Sequence, residues 1–290
     1  PKDEAFFAEA RKICWHRAKI CAFGMTRRRG ILADADPGMR ALVGSGAPVI
    51  TIVGKTWDLH VDDVLRVSRQ ENLDMIQQSL AFCRDTGAKV FYDAEHFFDG
   101  YQANPAYALA CAKGAAEAGA EFVVLCDTNG GVLPETIGQV VTRVREEVTV
   151  DLGIHCHNDA EMAVANSIQA VQSGVTQVQG TINGYGERCG NANILSIIGN
   201  LKLKLGIPCV TDQQLQHLTE VHRFVGELVN LPRSRFQAYV GDSAFTHKAG
   251  LHASAMAKVE ESYQHVSPDQ VGNSKRVLVS ELSGRGNIAI

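Results

Sequence analysis

Short apolar runs rich in β-forming residues recur along the chain at an even spacing, over 18–23, 48–53, 89–92, 121–126, 152–155 and 177–182. Longer stretches with helical periodicity lie between them. In 159–173, Val164, Ile168 and Val171 share one face and Gly174 supplies a stop. The Ala-rich stretch 105–119 closes on Gly119 in the same way. Strands alternating with helices predict βαβ units and a parallel sheet. Six such units are visible.

Six units suit either a doubly wound open sheet or an incomplete eight-unit barrel. Polar residues cluster after nearly every strand, at 26–29, 55–58, 93–95, 127–129, 155–157 and 183–191. An open sheet concentrates functional loops near its switch point, whereas a barrel gathers every strand's C-terminal end at one mouth. The distribution favours an α/β fold of the (β/α)8 TIM-barrel type that lacks its first two βα units. After about residue 205 the pattern changes. Thr211 and Asp212 look like an N-cap ahead of a helix with Leu215, Leu218, Val221 and Leu228 as apolar positions. The Gly- and Ser-rich remainder predicts short helical stretches around 250–259 and 269–271. We therefore expect a partial catalytic barrel over 1–205 and a helical subdomain over 206–290 that covers the mouth.

Composition narrows the possibilities. The 290 residues are 45% hydrophobic, and 28 basic against 32 acidic residues leave a net charge of −4. That is the make-up of an ordinary globular protein. No basic excess is available for nucleic acid, and the longest apolar runs, such as 47–53, fall far short of the ~20 residues a membrane span needs. Eight cysteines without a C-x-x-C pair read as buried thiols of a reduced, cytoplasmic chain. The first residue is Pro1, and helical sequence begins at once over 3–13, so we expect the interior of a longer polypeptide.

The sharpest chemical signal is Gly153-Ile-His-Cys-His-Asn-Asp159. His155 and His157, two apart on a strand, point to the same side and suit a divalent metal at a barrel mouth. The competing reading is a pair of core or capping histidines. A second signal is Gly180-Thr-Ile-Asn-Gly-Tyr-Gly-Glu-Arg-Cys-Gly-Asn191, a tight loop whose Asn and Glu side chains can supply oxygen ligands and supporting hydrogen bonds. It matches neither a phosphate-binding loop nor a dinucleotide fingerprint. Asp93 and Glu95 fall on one strand face, offering an acid or a substrate anchor. Arg27, Arg28 and Arg29 read as a solvated loop. The segment from Thr246 to His252, followed by Tyr263, could carry a base tuned near neutrality, or be structural.

Taken together, Thr51-Ile-Val-Gly-Lys-Thr-Trp-Asp-Leu-His60, Asp93-Ala-Glu-His-Phe-Phe-Asp-Gly100, Leu125-Cys-Asp-Thr-Asn-Gly-Gly131, His155-Cys-His-Asn-Asp159 and Gly184-Tyr-Gly-Glu-Arg-Cys-Gly-Asn191 resemble the isopropylmalate, homocitrate and citramalate synthase family. These are metal-dependent, Claisen-condensing TIM-barrel enzymes, and the first two strings favour the citramalate-forming members. The resemblance implies a divalent metal ion (Mg, Mn or Zn) on His155, His157 and Asn191. It implies catalytic roles for Glu95, His252 and Tyr263, and substrate contacts through Thr128 and Asp93. Glu187 and Arg188 would support the loop. Acetyl-CoA and pyruvate are the implied substrates, and the full-length parent is expected to be a homodimer.

One departure stands out. The family's first-strand string D-T-T-L-R-D-G, with a metal-ligating Asp and a catalytic Arg, is absent, so the 290-residue piece is expected to be inactive alone. Two readings compete with the synthase: a metal-dependent TIM-barrel hydrolase, and a non-catalytic remnant.

Overall fold

All six β-rich runs form strands of one parallel sheet, ordered β1 to β6 in sequence: Cys21–Met25, Val49–Lys55, Lys89–Glu95, Phe122–Asp127, Asp151–Cys156 and Gln177–Gln179. The central strands are apolar on both faces, as in Val49-Ile-Thr-Ile-Val53, because helices cover one side and strand side chains fill the other. Helices separate successive strands. α1 (Lys2–Ala10) precedes β1, and α2 (Pro37–Gly44) follows it. α3 (Arg69–Arg84), α4 (Phe97–Ala103), α5 (Pro105–Glu117), α6 (Pro134–Glu147) and α7 (Ala163–Gln172) complete the series. The buried faces of α3, α5 and α6, with Ile76, Leu80, Ala108, Ala112, Ile137 and Val141, form much of the core against the strands. Asp36 caps α2 by accepting from the N–H groups of Gly38 and Met39.

The structure is a computed structural model that describes residues 2–247, 255, 259 and 262–277. The chain divides into two units, 1–179 and 180–290, whereas sequence reading put the division at 205/206. The first unit holds the whole six-stranded sheet.

That sheet curves strongly. β3 and β6 stand three strand spacings apart, roughly 14 Å along a flat sheet, yet Gln179 Nε2 on β6 donates to Asp93 Oδ1 on β3 at 2.9 Å. Two side chains cannot span that gap unless the strands bend around them. Sequential parallel order, intervening helices and this curvature give the α/β TIM-barrel class. On the same inner face, Phe23 and Met25 of β1 are 63% and 58% exposed.

The second unit begins with the Gly-rich loop and continues through α8 (Ile194–Leu203), α9 (Asp212–Leu215) and α10 (Leu218–Leu228). Thr211 forms a capping box with Gln214, as the N-cap pattern predicts. The single helix expected after it is two helices. The unit is not purely helical: β7 (Thr246–His247) pairs in parallel with β8 (Arg276–Val277). Two-residue strands carry too little periodicity to be seen in sequence. Leu195, Leu215, Leu218, Tyr239, Val240, Phe245 and Val271 form this unit's core.

Candidate active site

The sequence motifs of the first unit meet at the C-terminal ends of β2 to β5. His96 follows β3 in the left-handed region (φ 56°), a costly conformation for a non-glycine residue. Its backbone N–H donates to Thr128 Oγ1 at 2.8 Å, tying the β3 loop to the β4 loop. Asn129 Nδ2 donates to Asp99 Oδ2 at 3.0 Å across the same pair of loops. From the β2 loop, the His60 ring lies against His96 with centres 4.2 Å apart, and Trp57 stacks on His60. His60 is pushed toward its neutral form by burial and by the neighbouring His96 and Lys55. The N–H of His157 donates to the carbonyl of Asp127 at 3.1 Å, which joins the β4 and β5 motifs.

Gly100 explains one motif glycine. A Cβ there would sit 2.6 Å from the carbonyl oxygen of Thr56 and 2.9 Å from Trp57 Cα, so α4 can lie against the β2 loop only without a side chain.

His155 and His157 project from the end of β5 with ring centres 5.2 Å apart. With metal–nitrogen bonds of about 2.1 Å, two imidazoles sharing one ion have centres at about this separation. Burial holds His155 below its ordinary pKa, although its hydrogen bond to Gln179 works the other way, so the ring is a neutral donor. Nδ1 of His155 lies 2.8 Å from Gln179 Oε1. Neither Gln179 nor its contact with His155 was foreseen. The signal was available in principle, because Gln179 is the register partner of His155 on the next strand. Sequence alone did not supply that register.

Asp93 and Glu95 do share a face, but their partners differ. Asp93 is 5% exposed and its carboxyl is pushed up to about 7 by burial, with the Gln179 hydrogen bond opposing. Glu95 pairs with Lys55 at 2.5 Å. A cavity of about 1390 Å³ reaches this pair and is lined also by Arg27, Phe23 and Met25. Arg27 corrects the solvated-loop reading: it is 4% exposed, with Nη1 2.9 Å from Glu71 Oε1 and Nε donating to Gln78 Oε1 at 2.8 Å. A buried guanidinium requires such partners.

The remaining expected site residues lie in the second unit. The amide oxygen of Asn191 is buried and has no hydrogen-bond partner among the described residues. Its loop is tight, with Gly190 at φ 88° and a Cβ there 2.0 Å from the Gly184 carbonyl. Glu187 and Arg188 are exposed, their charged ends 4.0 Å apart. Tyr263 is 42% exposed. His252 lies outside the described residues. Among the described residues, no group of three or more His, Cys, Asp and Glu side chains could hold a metal ion.

A curved parallel sheet with motif loops gathered at the strand ends, and with paired imidazoles among them, defines an α/β protein of the TIM-barrel class. The chain belongs to the HMGL-like family, whose model matches residues 4–225. A homocitrate synthase post-HMGL domain-like model follows over 239–289. The chain is 54% identical over 288 residues to an (R)-citramalate synthase of Geobacter sulfurreducens, covering 99% of this chain and 54% of that one. Against an (R)-citramalate synthase of Aquifex aeolicus the identity is 49% over 289 residues, with 99% and 55% covered. The chain thus spans about half the length of these curated relatives. Among solved structures, a hydroxymethylglutaryl-CoA lyase from Pseudomonas aeruginosa aligns with a TM-score of 0.64 at 17% identity, covering 79% of this chain and 75% of that one. That likeness concerns fold alone.

Proposed function

We propose that the protein to which this chain belongs condenses acetyl-CoA with pyruvate and water to give (R)-citramalate and CoA. The reading rests above all on the His155–His157 pair at the end of β5, with ring centres 5.2 Å apart. The names of the two relatives described above, at 54% and 49% identity, support the choice of substrate. The donor set fits a divalent cation, Mg, Mn or Zn: two imidazoles, one of them held neutral by burial, and by the sequence pattern the oxygen of Asn191. When bound, that ion supplies Lewis acidity at the ketone oxygen of the keto acid.

The chain's own residues do the rest. Glu95 and Thr128 orient the keto acid at the strand ends. His252 and Tyr263 take a proton from the acetyl-CoA methyl group, whose weak acidity demands a positioned base. The resulting carbanion carbon bonds to the ketone carbon, the former ketone oxygen takes up a proton, and water cleaves the thioester to release CoA. Glu187 and Arg188 support the Gly-rich loop. We further propose a cytoplasmic, homodimeric parent. The eight unpaired cysteines accord with that compartment, and no helix of the described residues is long and apolar enough to cross a membrane.

The full-length parent, offered pyruvate, 2-oxoisovalerate and 2-oxoglutarate with acetyl-CoA, tests this by thiol release. Preference for pyruvate, lost on chelation and in His157→Ala, is expected. Preference for a larger keto acid would assign an isopropylmalate or homocitrate synthase instead, and undiminished turnover in His157→Ala would remove the metal assignment.

A further inference from the structure

We propose that Gln179 is a positioning residue that, backed by Asp93, locks the His155 ring in one tautomer and leaves Nε2 as its metal-binding nitrogen. The inference rests on the reading of His155 as a metal ligand.

The donor pattern is forced by chemistry. A carboxamide offers one acceptor oxygen and one donor nitrogen, in fixed relation. Gln179 uses both at once, with Nε2 donating to Asp93 Oδ1 at 2.9 Å and Oε1 lying 2.8 Å from His155 Nδ1. Asp93 Oδ1 accepts from the Gln179 NH2 group, as it can also when the carboxyl's proton sits on Oδ2, so the amide oxygen faces the imidazole. An amide oxygen cannot donate. His155 Nδ1 must therefore carry the hydrogen, and in the neutral ring the lone pair is left on Nε2.

The mechanical setting supports the same role. Gln179 is the last residue of β6 and the register partner of His155, so its backbone is held by the sheet next to the ring it contacts. Asp93 is 5% exposed and reaches Gln179 across the curved interior from β3. Three strands thus fix one ring. A hydrogen-bonded carboxamide behind a ligating imidazole fixes its orientation and raises its basicity, and loss of such a partner costs typically about 10–100-fold in metal affinity.

The tautomer of His155 in the metal-free protein, read from long-range ¹H–¹⁵N correlation spectra, tests the clamp without any metal. The Nδ1–H form is expected in the native chain, and a mixture of tautomers in Gln179→Ala. Mn²⁺ titration of the same proteins is expected to weaken by about 10–100-fold in Gln179→Ala. The double variant Asp93→Asn/Gln179→Glu keeps both hydrogen bonds with the donor between 93 and 179 reversed, and is expected to restore the Nδ1–H form and most of the affinity.

An Nε2–H ring in the native protein overturns the proposal, even if Gln179→Ala fails to fold. Unchanged tautomer and affinity in a folded Gln179→Ala do so as well. The metal reading fails separately if His155→Ala binds Mn²⁺ as tightly as the native chain, whatever the tautomer.

Discussion

Lys55 and Glu95 are register partners on adjacent parallel strands, and their side chains form an ion pair at 2.5 Å, 14% and 25% exposed. The pair falls between the exposed kind, which contributes little, and the fully buried kind, whose disruption is severe. Lys55→Met leaves the Glu95 carboxylate half-buried without its ammonium partner. We expect a loss of about 1–3 kcal/mol in urea unfolding and a marked fall in turnover of the parent. A double-mutant cycle with Glu95→Gln should return a coupling energy of the same sign; additive effects would show that the pair contributes nothing.

Asp93 should give the fold a distinctive pH response. Its carboxyl is pushed up to about 7 by burial, against about 3.9 in the unfolded chain. Between those values the folded state holds a proton that the unfolded state has released, so this group's contribution falls as pH rises from about 4 to about 7 and is level above. Asp127, pushed up to about 6 mainly by burial, adds a slope of the same sign over about 4 to 6. Asp93 is faced by Gln179, and Cys21 and Cys126 sense its charge. Asp93→Asn is therefore expected to gain stability relative to the native chain as pH rises, by up to about 4 kcal/mol between pH 4 and 7. Parallel urea midpoints for the two proteins across that range would contradict it.

Asn72 is fully buried on α3, and its Nδ2 donates to the carbonyl of Lys55 and to the hydroxyl of Tyr107, both at 2.9 Å. It ties the end of β2, where Lys55 sits, to α3 and α5. Asn72→Ala removes a donor from two buried groups, the Tyr107 hydroxyl keeping its bond to the Arg69 carbonyl, and is expected to cost about 1–3 kcal/mol. Thermal unfolding measures this, and an unchanged Tm would refute the tether.

At Gly100 the expectation is steric. The added methyl of Gly100→Ala meets backbone atoms of Thr56 and Trp57, which cannot rotate away as a side-chain end could. A loss of about 1–3 kcal/mol is expected, together with reduced activity because the β2 loop bearing Trp57 and His60 is displaced. Gly100→Ser should be at least as damaging. A variant as stable as the native chain would show that α4 can shift freely.

How far the sequence went depended on the range of the physics involved. The strands, their parallel order, the capping box at Thr211 and the shared face of His155 and His157 all follow from periodicity and from chemistry within a few residues, and these were legible. The strings around Trp57, Glu95, Thr128 and His157 also carried the family. Tertiary structure alone decided which partners those groups have. It placed Gln179 behind His155, paired Lys55 with Glu95 instead of leaving a free carboxylate, buried Arg27 against Glu71, and bent the sheet until β3 and β6 touched. Strand register and sheet curvature arise from packing many residues at once, and no local run of side chains encodes them.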